Sequence, residues 1–277
     1  MSLFYASLNS GSNGNCYYVG NAHEGILVDA GIPLREIEKR SRLLGIDLHA
    51  VKALFITHEH SDHIRGAYKL AKKYALPVYA SAGTFHRSYF KLDELQHFLL
   101  EHENSISIGD LEILPFSKKH DAADPLSIVV NYQNIKAGII TDVGALCENL
   151  TKHFQTCHIA ILESNYDEKM LLEGKYPYYL KQRIRSGVGH LSNTEALQLV
   201  EDYRNPDLKH VVLGHISKEN NRPEIVEAVF SGLTKKIRID LASRYEATAL
   251  FEINSKLEVQ TKPISSASIQ MQLFANS

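Results

Sequence analysis

The sequence is short of cysteine, of net charge and of long apolar runs, and each shortage closes off a class of function. Cys16, Cys147 and Cys157 are odd in number and form no C-x-x-C pair, which argues against a disulfide framework or a thiolate zinc site and for buried free thiols. Thirty basic residues against thirty-two acidic ones leave a formal charge of −2. Such a chain cannot hold a polyanion by bulk charge, so any contact with nucleic acid rests on a local patch or on metal ions. The apolar stretches are interrupted, and the start SLFYASLNSGSNGN lacks the basic opening and apolar core of a signal peptide. The expected setting is the cytoplasm, away from membranes.

The 277 residues are 44% apolar and 22% charged, enough to bury one substantial core as one large domain or two fused half-domains. Short β-branched or aromatic runs predict strands at Tyr17–Val19, Gly25–Asp29, Ala53–Thr57, Pro77–Ala80, Ser105–Ile108 and Leu111–Pro115 in the first half. The second half repeats the style at Ser127–Tyr132, Lys136–Thr141, His158–Glu163, His210–Leu213, Lys236–Asp240 and Ala247–Ile253. Helical patterns fall at Pro33–Leu44, with Pro at its first turn and Gly45 at its end, and at Ile64–Tyr74, Val143–Gln155, Ser192–Tyr203 and Pro223–Ser231. Two mixed halves in sequence order predict an α/β molecule with two facing sheets and outer helices. Residues 1–262 read as one domain, and the charge-free 263–277, PISSASIQMQLFANS, as a flexible tail.

Fourteen histidines are a rich supply. The run Leu54-Phe-Ile-Thr-His58-Glu-His60-Ser-Asp62-His63 takes an apolar strand straight into four potential ligands. Where a strand ends the chain turns, so side chains at this spacing can converge on one point outside the sheet. Imidazoles with a carboxylate suit zinc, manganese or iron, and four so close together allow two ions to share the site. A polar loop of satisfied histidines is the usual fate of a lone His, and it fits three histidines and an aspartate at this spacing poorly.

Thr57 to His63 reads T-H-E-H-S-D-H, and it resembles the T-H-x-H-x-D-H hallmark of the metallo-β-lactamase superfamily. Val28-Asp29-Ala-Gly31, His120, Thr141-Asp142 and Gly214-His215 fall where that superfamily places its other site residues. Ser10-Gly-Ser-Asn-Gly-Asn-Cys16, Leu162-Glu-Ser-Asn-Tyr-Asp167, Ser186-Gly-Val-Gly-His-Leu-Ser-Asn193 and Leu213-Gly-His-Ile-Ser-Lys-Glu-Asn-Asn221 together resemble its YycJ/WalJ (VicX) branch. The resemblance implies an αββα sandwich of two mixed sheets, and a metal-dependent 5′-to-3′ DNA exonuclease with a hydroxide nucleophile held between two divalent ions, zinc or manganese. It implies one ion on His58, His60 and His120, another on Asp62, His63 and His215, and Asp142 between them. Asp62 could also orient or deprotonate the attacking water. Asp29 would orient a ligand histidine from behind, and Gly189-His190-Leu-Ser192 resembles the G-H-S/T segment of the superfamily's tRNA-processing branch, which implies that His190 protonates the leaving oxygen. Ser192 with Glu195 equally fits a helix capping box, and both readings of that segment can hold.

Further expectations concern substrate and partners. The SGSNGN loop offers Ser10 and Asn15 to a phosphate, although a plain glycine turn looks the same. The stretch KYPYYLKQRIR interleaves Lys175, Lys181, Arg183 and Arg185 with Tyr178 and two further tyrosines, as suits a stacked single strand, or else a solvated helix face. Lys118, Lys119 and Arg222 flank ligand segments and could touch phosphates, while Glu163 and Asn165 could support the metals from outside. Gln270, Leu273 and Phe274 form a Q-x-x-L-F pattern similar to peptides that dock on a bacterial replication sliding clamp. Three alternatives remain: an RNase, a hydrolase of small thioesters or lactams with the same metals, and a metal-stabilised nucleic-acid-binding module with no turnover. His190 and the basic aromatic stretch weigh against the small-molecule reading, and the full ligand set against the inert module.

Overall fold

A computed structural model describes residues 1–262. The first six strands are β1 (Ser2–Asn9), β2 (Cys16–Gly20), β3 (Gly25–Val28), β4 (Val51–Phe55), β5 (Val78–Ala80) and β6 (His97–Leu99). The next seven are β7 (Ile106–Ile108), β8 (Leu111–Ser117), β9 (Leu126–Tyr132), β10 (Ile135–Ile140), β11 (Ile159–Glu163), β12 (His210–Gly214) and β13 (Arg238–Leu241), followed by β14 (Phe251–Asn254) and β15 (Val259–Thr261). They form an eight-stranded sheet in the order β15-β14-β1-β2-β3-β4-β5-β6 and a seven-stranded sheet in the order β13-β12-β11-β10-β9-β8-β7.

The layering follows from which faces are apolar. Alternate residues such as Tyr5, Val28 and Phe55 of the first sheet meet Ile128, Ile139 and Ile161 of the second in a core between the sheets. Each such side chain fully buried contributes roughly 1.5–3 kcal/mol. The outer face of the first sheet is covered by α1 (Leu34–Leu43), α2 (Ser61–Ile64), α3 (Ala67–Tyr74) and α4 (Ala82–Arg87). On the second sheet lie α5 (Glu148–Phe154), α6 (Glu168–Glu173), α7 (Tyr178–Arg185), α8 (Asn193–Tyr203) and α9 (Pro223–Phe230), with α5, α8 and α9 supplying its apolar cover. Strands β11 and β12 are buried on both faces, as their unbroken apolar runs require of central parallel strands.

Three expectations need correction. The halves are not strictly sequential, because β14 and β15 return to the first sheet beside β1. Strand β1 itself was not expected, since small polar residues dilute SLFYASLN; its place between β14 and β2 buries Ser7 and Asn9 along with Leu3 and Leu8. The helix expected at Ile64–Tyr74 is broken at Gly66, whose N–H donates to the Ala30 carbonyl at 2.7 Å and where a Cβ would lie 2.1 Å from the Ile32 oxygen. Cys16 and Cys157 are buried, Cys147 is half-buried and all three are free; burial pushes the Cys157 thiol up to about 12. Among the described residues no helix is long and apolar enough to cross a membrane. Gln270, Leu273 and Phe274, with the rest of 263–277, lie outside the described residues.

Topology sets the position of the site. Strands β3 and β4 are parallel neighbours, as are β10, β11 and β12, so their carboxyl ends open on one edge of the sandwich. In open parallel arrangements that edge is where ligands bind.

Candidate metal centre

Asp29 follows β3, His58 to His63 follow β4, His120 follows β8, Asp142 follows β10 and His215 follows β12. Asp29, Asp142 and His215 have φ of 59°, 54° and 53°, a left-handed conformation that costs a non-glycine residue roughly 1–3 kcal/mol. Each turns its strand end abruptly, and all three side chains are buried at the same edge. Such strain persists only where the surrounding structure enforces it.

The nitrogens converge. His58 Nε2 lies 3.1 Å from His60 Nδ1, which lies 3.4 Å from His120 Nε2. Asp142 stands between this trio and a second group, with Oδ2 at 3.1 Å from His63 Nε2 and Oδ1 at 3.2 Å from His215 Nδ1 and 3.9 Å from His120 Nε2. Asp62 Oδ2 is 3.8 Å from His63 Nε2 and 4.0 Å from His215 Nε2. The seven side chains named from the sequence therefore meet in space. Ligating atoms of His58, His60 and His120 lie within 4.8 Å of one another, as do those of His58, His63 and Asp142, and those of Asp142, Glu163, His190 and His215.

Ring orientation is set from outside the cluster. His63 Nδ1 donates to Asp29 Oδ2 at 2.7 Å, and Asp29 also accepts from the Thr57 N–H and hydroxyl. The Thr57 hydroxyl oxygen in turn lies 3.0 Å from His58 Nδ1. His120 Nδ1 donates to the Gly189 carbonyl at 3.0 Å and His215 Nδ1 to Glu163 Oε1 at 3.0 Å. With Nδ1 occupied, each of these four rings turns Nε2 inward, as outer partners of metal-binding histidines do.

The residues fit divalent cations. His215 Nε2 is buried without a hydrogen-bond partner among the described residues. Burial, with His63 and Lys118 close by, pushes His58 well below its ordinary value, and burial brings His120 down to about 3. Both are thus neutral, the form in which imidazole ligates a metal. Burial also disfavours charge on His63 and His215, but Asp142 and other acids outweigh it, raising His63 well above its usual range and His215 to about 9. A proton rests where a cation can replace it. Burial works against Asp142 ionising too, yet His215 and His63 hold its carboxyl well below the usual range.

Glu163 is the residue whose role the sequence left open. Its Oε1 accepts from His190 Nδ1 at 2.7 Å as well as from His215, and its Oε2 accepts the Val143 N–H at 2.6 Å. The helix expected at Val143–Gln155 begins only at Glu148, after Cys147 in extended conformation. Burial pushes the Glu163 carboxyl up, but His190 and His215 outweigh it and bring it down to about 2. His190 itself is 23% exposed and lines the cavity in front of the cluster, with no partner for Nε2 among the described residues. The capping box of Ser192 and Glu195 is present as well, so one segment starts α8 and presents the histidine. Asn165 donates to the His215 carbonyl at 2.7 Å, and buried Asn221 ties Ser164, Asn165 and Asn193 together behind it, a network with no local sequence signature.

Several substrate assignments change. Asn15 is fully buried; its amide nitrogen lies 3.4 Å from Asp62 Oδ2 and its oxygen accepts from the Gly11 N–H, so it braces the ligand loop instead of reaching a phosphate. Ser10 is 1% exposed, with its hydroxyl oxygen accepting the His215 N–H. Lys118 is buried and donates to the Thr141 carbonyl at 2.6 Å. Under this floor, a Cβ on Gly31 would fall 1.6 Å from the Asp62 carbonyl oxygen and 2.7 Å from the Asn15 nitrogen. Gly31→Ala is therefore expected to cost roughly 1–3 kcal/mol in denaturant unfolding and to weaken metal retention by displacing Asp62; wild-type behaviour in both would refute the tight packing.

The cavity before the cluster measures about 400 Å³ and is walled by Tyr176, Leu180 and Ile184, from α7 and the chain before it. Arg183 pairs with Asp121, Nε to Oδ2 at 2.5 Å, and Lys181 donates to the Leu172 carbonyl at 2.7 Å, so these two brace α7. Lys175 and Arg185 make no ion pair among the described residues, and Tyr178 is 76% exposed.

Two facing mixed sheets, outer helices and a histidine–aspartate cluster at their shared edge define a metal-dependent hydrolase of the metallo-β-lactamase type. Residues 24–216 match the family model described as "Beta-lactamase superfamily domain", and the chain belongs to that family. It is 33% identical over 249 residues to "Exodeoxyribonuclease YycJ" of Bacillus anthracis, covering 89% of this chain and 94% of the relative. It is likewise 33% identical over 226 residues to "Exodeoxyribonuclease WalJ" of Streptococcus pneumoniae, covering 80% and 84%. Among solved structures, the metallo-β-lactamase fold protein YhfI of Bacillus subtilis superposes with a TM-score of 0.67 over 89% of this chain and 99% of that one, at 14% identity, a likeness of fold.

Proposed function

We propose that this chain is a DNA exonuclease that hydrolyses phosphodiesters from a 5′ end with two divalent cations, zinc or manganese. The observation that carries the reading is the Glu163–His190 pair at 2.7 Å beside the seven-residue cluster, with His190 lining the same cavity as Asp62 and Asp142 and Glu163 buried behind it. A thiolate leaves a small thioester without help, whereas a 3′-alkoxide is far more basic and needs a proton as it departs. The names of the two exodeoxyribonuclease relatives support the substrate class.

In this proposal His58, His60 and His120 hold one cation, Asp62, His63 and His215 the other, and Asp142 reaches both. Bound there, the cations supply a polarised water and offset the charge of the phosphodiester. Asp62, 19% exposed at the cavity floor, orients that water and accepts its proton. His190 gives the proton on Nε2 to the 3′-oxygen as the P–O3′ bond breaks. Glu163 fixes the ring through Nδ1 and supplies the counter-charge while both ring nitrogens carry protons. Tyr178, Lys175 and Arg185 carry the strand along α7 by stacking and phosphate contact. Gln270, Leu273 and Phe274 are retained as a clamp-docking segment on their sequence pattern, and unchanged clamp binding after deletion of 268–277 would end that part.

The test is digestion of end-labelled single- and double-stranded DNA and RNA by metal-stripped protein reloaded with manganese or zinc. Release of mononucleotides from the 5′ end of DNA is expected. Turnover confined to RNA, or to small thioesters or lactams, would select one of the alternatives.

A further inference from the structure

The loops after β12 and β13 enclose a second cavity of about 300 Å³ that shares Ser217 with the one in front of the cluster and has Ser10 at its floor. It lies toward the β13 side of the second sheet, whereas α7 is tied by Arg183 to Asp121, beside His120 after β8. Lys218, Arg222 and Arg244 all line it, and none of the three makes an ion pair with a carboxylate among the described residues. The wall is held in place: the Ser243 carbonyl accepts from the Ser10 N–H at 3.1 Å, the Arg244 carbonyl from Asn13 Nδ2 at 2.8 Å and the Tyr245 carbonyl from Arg40 Nη2 at 2.9 Å. The Tyr245 ring is 71% exposed, with the Arg244 guanidinium 6.0 Å from its centroid.

Three cations on one small, braced cavity repel one another until an anion enters. We propose that this cavity receives the terminal nucleotide of the strand, its 5′-phosphate among Lys218, Arg222 and Arg244 and its base against Tyr245; the proposal rests on the nuclease reading above. A terminal phosphate carries roughly −1.5 to −2 at neutral pH, against a single charge on each internal diester, so three cations match the end better than the middle of a strand. At about 300 Å³ the volume is at the small end for ligand pockets, roughly 300–1,000 Å³, fit for one nucleotide. The open face of α7 suits the continuing strand. The end group is thereby selected next to the bond to be cut.

The probe is a 3′-labelled oligonucleotide with cleavage-resistant phosphorothioate linkages, bearing either a 5′-phosphate or a 5′-hydroxyl, and the readout is its Kd by fluorescence anisotropy with the full chain. The phosphorylated form is expected to bind roughly tenfold more tightly. Arg222→Ala should abolish that preference with unchanged thermal unfolding, and Arg222→Lys should restore part of it. Lys175→Ala, in the chain just before α7, should weaken both probes equally. Equal affinities in the wild type, or a preference that survives combined alanine replacement of Lys218, Arg222 and Arg244, would overturn the proposal. DNA digestion without end preference would defeat the pocket and leave the nuclease; end preference without digestion would do the reverse.

Discussion

Replacing His190 by alanine is expected to slow DNA cleavage by roughly 10²–10⁴-fold while leaving metal content and DNA affinity near wild type. The reason is positional. His190 bonds Glu163 through its side chain and meets the seven converging side chains by ring contacts with His215 and His120, at 4.9 and 5.6 Å between centroids, and at 3.9 Å from Asp142, so its removal breaks no hydrogen bond to any of the seven. A proton donor acts on the departing oxygen and not on the bound ground state, so the loss belongs in kcat with little change in KM. Glu163→Gln is a less selective change. All three partners of the carboxylate are donors, namely His190, His215 and Val143, and a glutamine must turn its own N–H₂ toward one of them. That variant should lose activity and metal together, whereas His190→Ala should lose activity alone. Cleavage at wild-type rate by His190→Ala would remove the proton-transfer role.

Asp142→Ala is expected to have the larger effect. Among the described residues Asp142 is the one carboxylate with oxygens near nitrogens of His63, His120 and His215 at once, and it is 2% exposed, so no water layer stands in for it. Its loss removes a buried negative charge from among histidines that it helps to keep protonated, or metal-bound, in place of water. Replacing an outer partner of a ligand costs 10–100-fold in metal affinity; removing a group shared by both halves of the cluster should exceed roughly 100-fold and bring cleavage to background. The fold should survive, because the three apolar cores do not depend on this side chain.

How much of this was readable in the sequence differs from residue to residue. The run from His58 to His63 was plain, because strand and turn put those ligands together locally. His120, Asp142 and His215 came from a family pattern; nothing local marks them, since it is parallel strand order that brings their loops to one edge. The glycine-rich loop after β1 looked like a phosphate cradle but serves as the floor of the site, a difference set by β1 running through the middle of its sheet. Arg183 counted as a free cation until the fold set Asp121 beside it, 62 positions earlier in the chain. Glu163 shows the same limit from the other side: a buried carboxylate at a strand end is visible in sequence, and the donors it serves are not.

The most direct measurement is a count of bound metal, by elemental analysis of the purified chain dialysed against zinc or manganese, with Asp142→Ala beside it. Two equivalents in the native chain and a clear loss in the variant are the expected result. One equivalent or none, or two that persist without Asp142, would contradict a paired site built on these seven side chains.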